Sequence, residues 1–186
     1  MRTQIFFTAL FAASVSTALE TNAFRLLVGA MKNDLTPSIN GAKVGFQTTG
    51  DCQADLVVDK GDGALFYQSN GKVLAVDSNG LSSAGIVVTP GGSATVPSSK
   101  LVELQCNNGT PGVQVQQTPY AVTFELDFEG GVWMACPATD GTDRIGIIYR
   151  KSSQRSLEGC AEVKLFSGCD AGNPDGSESV GCNKGL

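Results

Sequence analysis

The spacing of turn signals constrains this chain most. Glycine occurs 23 times in 186 residues, and no window between the glycines sustains a helical period. Apolar residues come instead in short runs at 23–30, 42–48, 56–59, 64–68, 72–76, 85–89, 101–105, 112–116, 144–150 and 161–166. Between them stand Asn40-Gly41, Lys60-Gly61-Asp62-Gly63, Asn70-Gly71 and Asn79-Gly80, residues that accept the backbone angles of tight turns. The 60–63 stretch reads as the loop of a hairpin joining 56–59 to 64–68. Together these runs predict an all-β chain, one compact domain of about ten to twelve short antiparallel strands in a barrel, sandwich or β-trefoil-like arrangement. A run–glycine–run pattern recurs around Gly63, Gly112 and Gly131, but its unequal spacing does not select the trefoil. Residues 90–99 (PGGSATVPSS) read as a long surface loop.

The best-patterned stretch is 124–137, FELDFEGGVWMACP. Phe124, Leu126 and Phe128 alternate with Glu125, Asp127 and Glu129, as in a strand with one buried face. Gly130-Gly131 reads as a two-residue turn, which sets Phe128 opposite Trp133 and Leu126 opposite Ala135. Met134 and Cys136 then fall on the acidic face, so either something covers that face or a bulge shifts the register.

Residues 1–18 read as a secretory signal peptide, with Arg2, an apolar run over 5–15, and small residues at Ser16-Thr17-Ala18; Ala23 is the second-choice cleavage site. No later run is long enough to span a bilayer, and residues 168–186 lack the hydrophobic tail of a GPI signal. The expected mature protein is a β domain over 19–168 with a polar tail over 169–186. It is secreted, extracellular or in a cell wall, and a monomer.

The formal net charge is −5, and loss of Arg2 makes it more negative. An acidic chain without basic clusters argues against nucleic acid and anionic membrane surfaces as partners. The densest basic patch, 150–155 (RKSSQR), reads as a solvated loop.

Cys52, Cys106, Cys136, Cys160, Cys169 and Cys182 make an even count, which in an exported chain predicts three disulfides. Fifteen pairings are possible. Cys169 with Cys182 is the first choice, closing a Gly/Asp/Ser-rich loop, and Cys136 with Cys160 the second. Each bridge would stabilise the fold by about 2–4 kcal/mol.

Histidine is absent. That removes Ser-His-Asp and Cys-His catalysis, histidine-based zinc sites and nuclease chemistry with a histidine base. Carboxylate pairs remain the other route to hydrolysis, but Glu125, Asp127 and Glu129 sit on a predicted wet face. Asp51, Asp55, Asp59, Asp62 and Asp77 read as turn and strand-end residues. Asp170, Asn173, Asp175 and Glu178 have an oxygen-rich look but not the spacing of a calcium loop. The chain is therefore read as no enzyme, with no cofactor, metal or catalytic residue. Asn108-Gly109-Thr110 is an N-glycosylation sequon in a predicted turn, with Pro111 lowering its expected occupancy.

Several stretches together resemble the PhiA family of small secreted fungal cell-wall proteins, named for a role in phialide development and including an IgE-binding allergen. They are FRLLVGA over 24–30, GALFYQSNGKVLAVD over 63–77 with Gly63, Leu65 and Tyr67, Trp133-Met134-Ala135-Cys136-Pro137, and the late Cys160. The resemblance covers about residues 23–166. The turn after Val76-Asp77 and the tail closed by Cys169 and Cys182 depart from the family pattern. The resemblance implies a wall-associated fungal protein without catalytic activity, with cell-wall polysaccharide or wall proteins as partners. The residues leave two other readings: a secreted effector or inhibitor of a host or competitor protein, and a carbohydrate-active enzyme built on acidic residues.

Overall fold

A computed structural model describes residues 19–76, 83–116, 121–123, 125–126 and 129–184. The expected signal peptide (1–18), the Asn79-Gly80 turn, Asp77, Phe124, Asp127 and Phe128 lie outside the described residues, as do the side chains of Glu125, Leu126 and Glu129.

Among the described residues every element is a strand. The chain begins β1 (Leu19–Thr21), β2 (Ala23–Lys32), β3 (Lys43–Gly50), β4 (Gln53–Asp59), β5 (Leu65–Ser69), β6 (Lys72–Ala75), β7 (Ala84–Val87) and β8 (Glu103–Cys106). It continues β9 (Gln114–Val115), β10 (Ala121–Thr123), β11 (Glu125–Leu126), β12 (Glu129–Pro137), β13 (Ile145–Lys151), β14 (Ala161–Asp170) and β15 (Val180–Cys182). The fold class is as expected. The strands are more numerous because β1, β10 and β15, three residues each, fall outside the expected runs.

The strand pairings close on themselves. β2 pairs β3, β3 pairs β4, β4 meets β13 at Gly146, β13 pairs β12, β12 pairs β14, and β14 returns along the length of β2. A second path also joins β2 to β4, through β5, β6, β7 and β8. The result is a barrel around one apolar interior, in which Phe24, Leu26, Leu56, Phe66, Leu104, Ile147 and Leu165 are fully buried. Closure removes the unpaired edges that a sheet of this size would otherwise expose.

Two expected hairpins are corrected. β4 and β5 do not pair across residues 60–63; β5 joins β2 and β6 instead. Asp59 shapes that loop by accepting hydrogen bonds from the Gly61 and Gly63 amides at 2.9 and 3.0 Å, which turns the chain away from β4. Likewise Gly130-Gly131 is not a turn. Glu125 stands opposite Gly130 and Leu126 opposite Glu129, which puts both glycines inside β12. Neither has positive φ. Gly131 is small for another reason: the Tyr149 ring occupies the space that a Cβ would fill. The Asn70-Gly71 hairpin forms as expected, both residues having positive φ.

Trp133 therefore faces Tyr149 and Val163 across the ladders, rather than Phe128. It is 4% exposed. Its indole N–H donates to the Val122 carbonyl at 2.7 Å and its ring meets Tyr149 edge-on at 5.3 Å. The tryptophan is a core residue.

The two ends of the described region are joined. β1 pairs β15, and Thr21 donates to the Asp170 carbonyl at 2.7 Å. Asp170, part of the calcium-like stretch, pairs with Arg25 at 2.7 Å. Glu178 accepts from the Gln68 side chain and the Asn70 amide.

Candidate functional site

Along β12 the odd-numbered Trp133 and Ala135 enter the barrel, and Met134 and Cys136 point outward, as period-2 geometry requires. The outward face is covered. Met134, Cys136, Ile148 and Cys160 form a second buried cluster with Leu157 against it. Cys136 bonds Cys160, Cys169 bonds Cys182, and Cys52 bonds Cys106, a pairing that sequence spacing does not suggest.

The cover is the segment 151–160, and the solvated reading of 150–155 is corrected here for Arg150 and Gln154, while Ser152, Ser153 and Arg155 are exposed as expected. Arg150 is 8% and Gln154 6% exposed. Arg150 donates to the carbonyls of Lys151, Ser152 and Gln154 and pairs with Glu162 at 2.6 Å. Gln154 reaches across to the carbonyls of Gly91, Ser93 and Val96, so one side chain anchors the 90–99 loop as well. Ser156 also donates to Glu162. That hydrogen bond is the main influence holding the Glu162 carboxyl below its ordinary range, and Arg150 and Lys32 add to it against the opposing effect of burial.

Where this cover meets the β12–β13 turn, a groove of about 710 Å³ opens. Leu101, Ile148, Leu157 and the Cys136–Cys160 disulfide line its apolar part, and Asp140, Arg144 and Glu158 its charged part. Gly146 permits this floor, because a Cβ there would strike Leu101. Arg144 is held between two carboxylates, Asp55 at 3.2 Å and Asp140 at 3.3 Å. Asp140 accepts from the Thr142 hydroxyl and amide, and these bonds hold its pKa low.

Behind Arg144 lies an acidic pair: Asp55, which sequence reading assigned to turns and strand ends, and Glu103, which it did not single out. Asp55 sits in the middle of β4, directly opposite Glu103 on β8. Burial raises the Asp55 pKa, with Arg144 opposing and Glu103 reinforcing the rise. Burial also acts upward on Glu103. There it is outweighed by hydrogen bonds from Gln105 at 2.7 Å and Gln53 at 2.9 Å and by Lys100, so the net shift is downward. Alternation of Glu103 and Gln105 with Val102 and Leu104 marks one polar face of a strand, but nothing local shows that Glu103 is buried there or names Asp55 as the partner.

Asn108 is exposed, and its side chain donates to Gln105 at 3.0 Å. The sequon's Thr110 hydroxyl exchanges hydrogen bonds with the Val88 backbone. Among the described residues no group of three or more His, Cys, Asp or Glu is placed to hold a metal ion. Among the same residues, no helix is long and apolar enough to cross a membrane.

Fold and cross-links define a disulfide-bonded β-barrel domain of the kind typical of extracellular proteins. A family model described as a domain of unknown function (DUF7907) matches residues 21–169, most of the chain, and the protein belongs to that family. No curated protein and no solved structure matches.

Proposed function

We propose that this is a secreted, non-enzymatic protein of the fungal cell wall or extracellular matrix that works by binding wall polysaccharide or wall proteins. The observation that carries this reading is the cross-linking of a small barrel by three disulfides, with no free cysteine among the described residues. Such a framework suits an oxidising compartment. The leader-like residues 1–18 and the PhiA-like stretches support the same placement. Binding rather than catalysis is supported by the groove, whose lining Arg144 is already neutralised by two carboxylates. The test is fractionation of a culture, followed by binding of purified protein to insoluble chitin and β-glucan under salt washes. Retention on a wall polymer or wall extract supports the reading; a protein confined to the cytosol overturns it.

One observation favours the carbohydrate-active reading. Asp55 and Glu103 face each other with pKa values pushed in opposite directions, as acid–base pairs are. Their engagement by Arg144, Lys100, Gln53 and Gln105 fits a structural network better. Release of reducing ends from wall glucans that disappears in Asp55→Asn would reverse that preference.

A further inference from the structure

We propose that the groove over the Cys136–Cys160 disulfide receives an extended basic segment of another protein, with an aliphatic side chain on its floor and a neighbouring lysine or arginine against Glu158. The inference rests on the reading that this protein acts by binding, and it names the partner class.

The floor argues for a side chain. Leu101, Ile148, Leu157 and the disulfide form an apolar surface in a space of about 710 Å³, within the roughly 300–1,000 Å³ common for ligand sites. Among the described residues no aromatic side chain lines it. Trp133 and Tyr149 are turned into the barrel, so none of the described residues offers a ring face there for a sugar to stack upon. The floor is also fixed in advance, by a disulfide and by Leu101 seated over Gly146, which lowers the ordering cost of binding.

The rim argues for positive charge. Arg144 is engaged on both sides by Asp55 and Asp140. Glu158 is exposed, and among the described residues it has no hydrogen bond or ion pair. The whole chain carries a net −5. An acidic ligand would be repelled, and a neutral glucan would leave Glu158 unanswered. A basic, aliphatic peptide segment answers both surfaces.

The experiment titrates the purified protein with acetyl-Gly-Lys-Leu-Lys-Gly-amide and follows amide shifts by NMR. The Gly-Glu-Leu-Glu-Gly and Gly-Lys-Ser-Lys-Gly analogues, chitohexaose and a β-1,3-glucan hexamer serve as comparators. Shifts centred on Ile148, Leu157 and Glu158 with the first peptide alone are expected. Glu158→Gln should weaken binding about three- to fivefold at low salt, and Leu157→Ser about tenfold. Glu158 is solvent-exposed, so its variant stays folded even where Leu157→Ser loosens the segment. Absence of binding by the basic peptide, equal binding by the acidic one, or oligosaccharide shifts at the same residues would overturn the inference. Retention on wall material without peptide binding would remove this inference and leave the proposed function standing; failure of both removes both.

Discussion

The two faces of β12 are held by different physics. Inside the barrel, Trp133 and Ala135 pack among Tyr149, Val163, Ala161 and Ile147, where apolar burial and one indole hydrogen bond suffice. Outside, Met134 and Cys136 lie under a segment without regular structure, and apolar contact is confined to Ile148, Cys160 and Leu157. There a disulfide, a buried ion pair and a glutamine bonded to three carbonyls supply what area does not. A strand can be buried on both sides without a second sheet if cross-links and buried polar groups pin a loop over it. The same pinning leaves a rigid apolar floor open at the loop's edge, and that floor is the groove.

The largest expected effect lies inside. Trp133→Ala should destabilise the protein by about 3–5 kcal/mol in urea unfolding, with loss of protection throughout the barrel in hydrogen exchange. On the outer face, Cys136→Ser with Cys160→Ser opens a sequence separation of 24. Loop-closure entropy puts that loss at about 3.5 kcal/mol. Its exchange signature should differ: amides of 151–160 exchange early while those of β2 and β14 stay protected. If both variants deprotect β2 equally, the two faces form one cooperative unit and the contrast fails. Glu162→Gln comes next, at about 3 kcal/mol, because it leaves the Arg150 side chain, 9% exposed, without its charge partner. Replacing Arg150 and Glu162 together by apolar residues of similar size should cost much less than Glu162→Gln alone. A larger cost for the pair would show that Arg150 serves the carbonyls more than the carboxylate.

The same contrast explains what was legible in the sequence. The inner face was readable only in part: Phe24 and Leu26, Ala54 and Leu56, Trp133 and Ala135 follow period 2, whereas β2 and β13 are buried at consecutive positions because their outer faces are covered as well. The anomaly of Met134 and Cys136 was readable too, and so was the Cys160 tether. What covers them was not, since Arg150 and Gln154 in a polar run look solvated until distant carbonyls at 91, 93 and 96 are brought beside them. Gly131 misled for a related reason. A glycine that admits an aromatic ring and a glycine that turns a chain look alike in one dimension. Asp55 and Glu103 are 48 positions apart and meet only through the β4–β8 ladder.

The smallest effect tests the charges by pH. Glu162 is held below its ordinary 4.5, chiefly by the Ser156 hydroxyl, so its stabilisation is complete above that value and is lost as pH falls through the depressed folded pKa. Asp55 runs the other way. Burial raises its pKa above 3.8, so its ionised form disfavours the fold at neutral pH, and protonation relieves that cost as pH falls through the raised value. Wild-type stability should therefore drop below pH 4.5 as Glu162 is neutralised, with Glu103 and Asp140, also held low, adding to the fall and Asp55 opposing it. Glu162→Gln should make that drop shallower, whereas Asp55→Asn should steepen it by deleting the compensating rise. Chemical unfolding from pH 7 to pH 3 reads both slopes. An unchanged acid limb in Glu162→Gln would mean that the pair with Arg150 does not set the acid stability of the outer face.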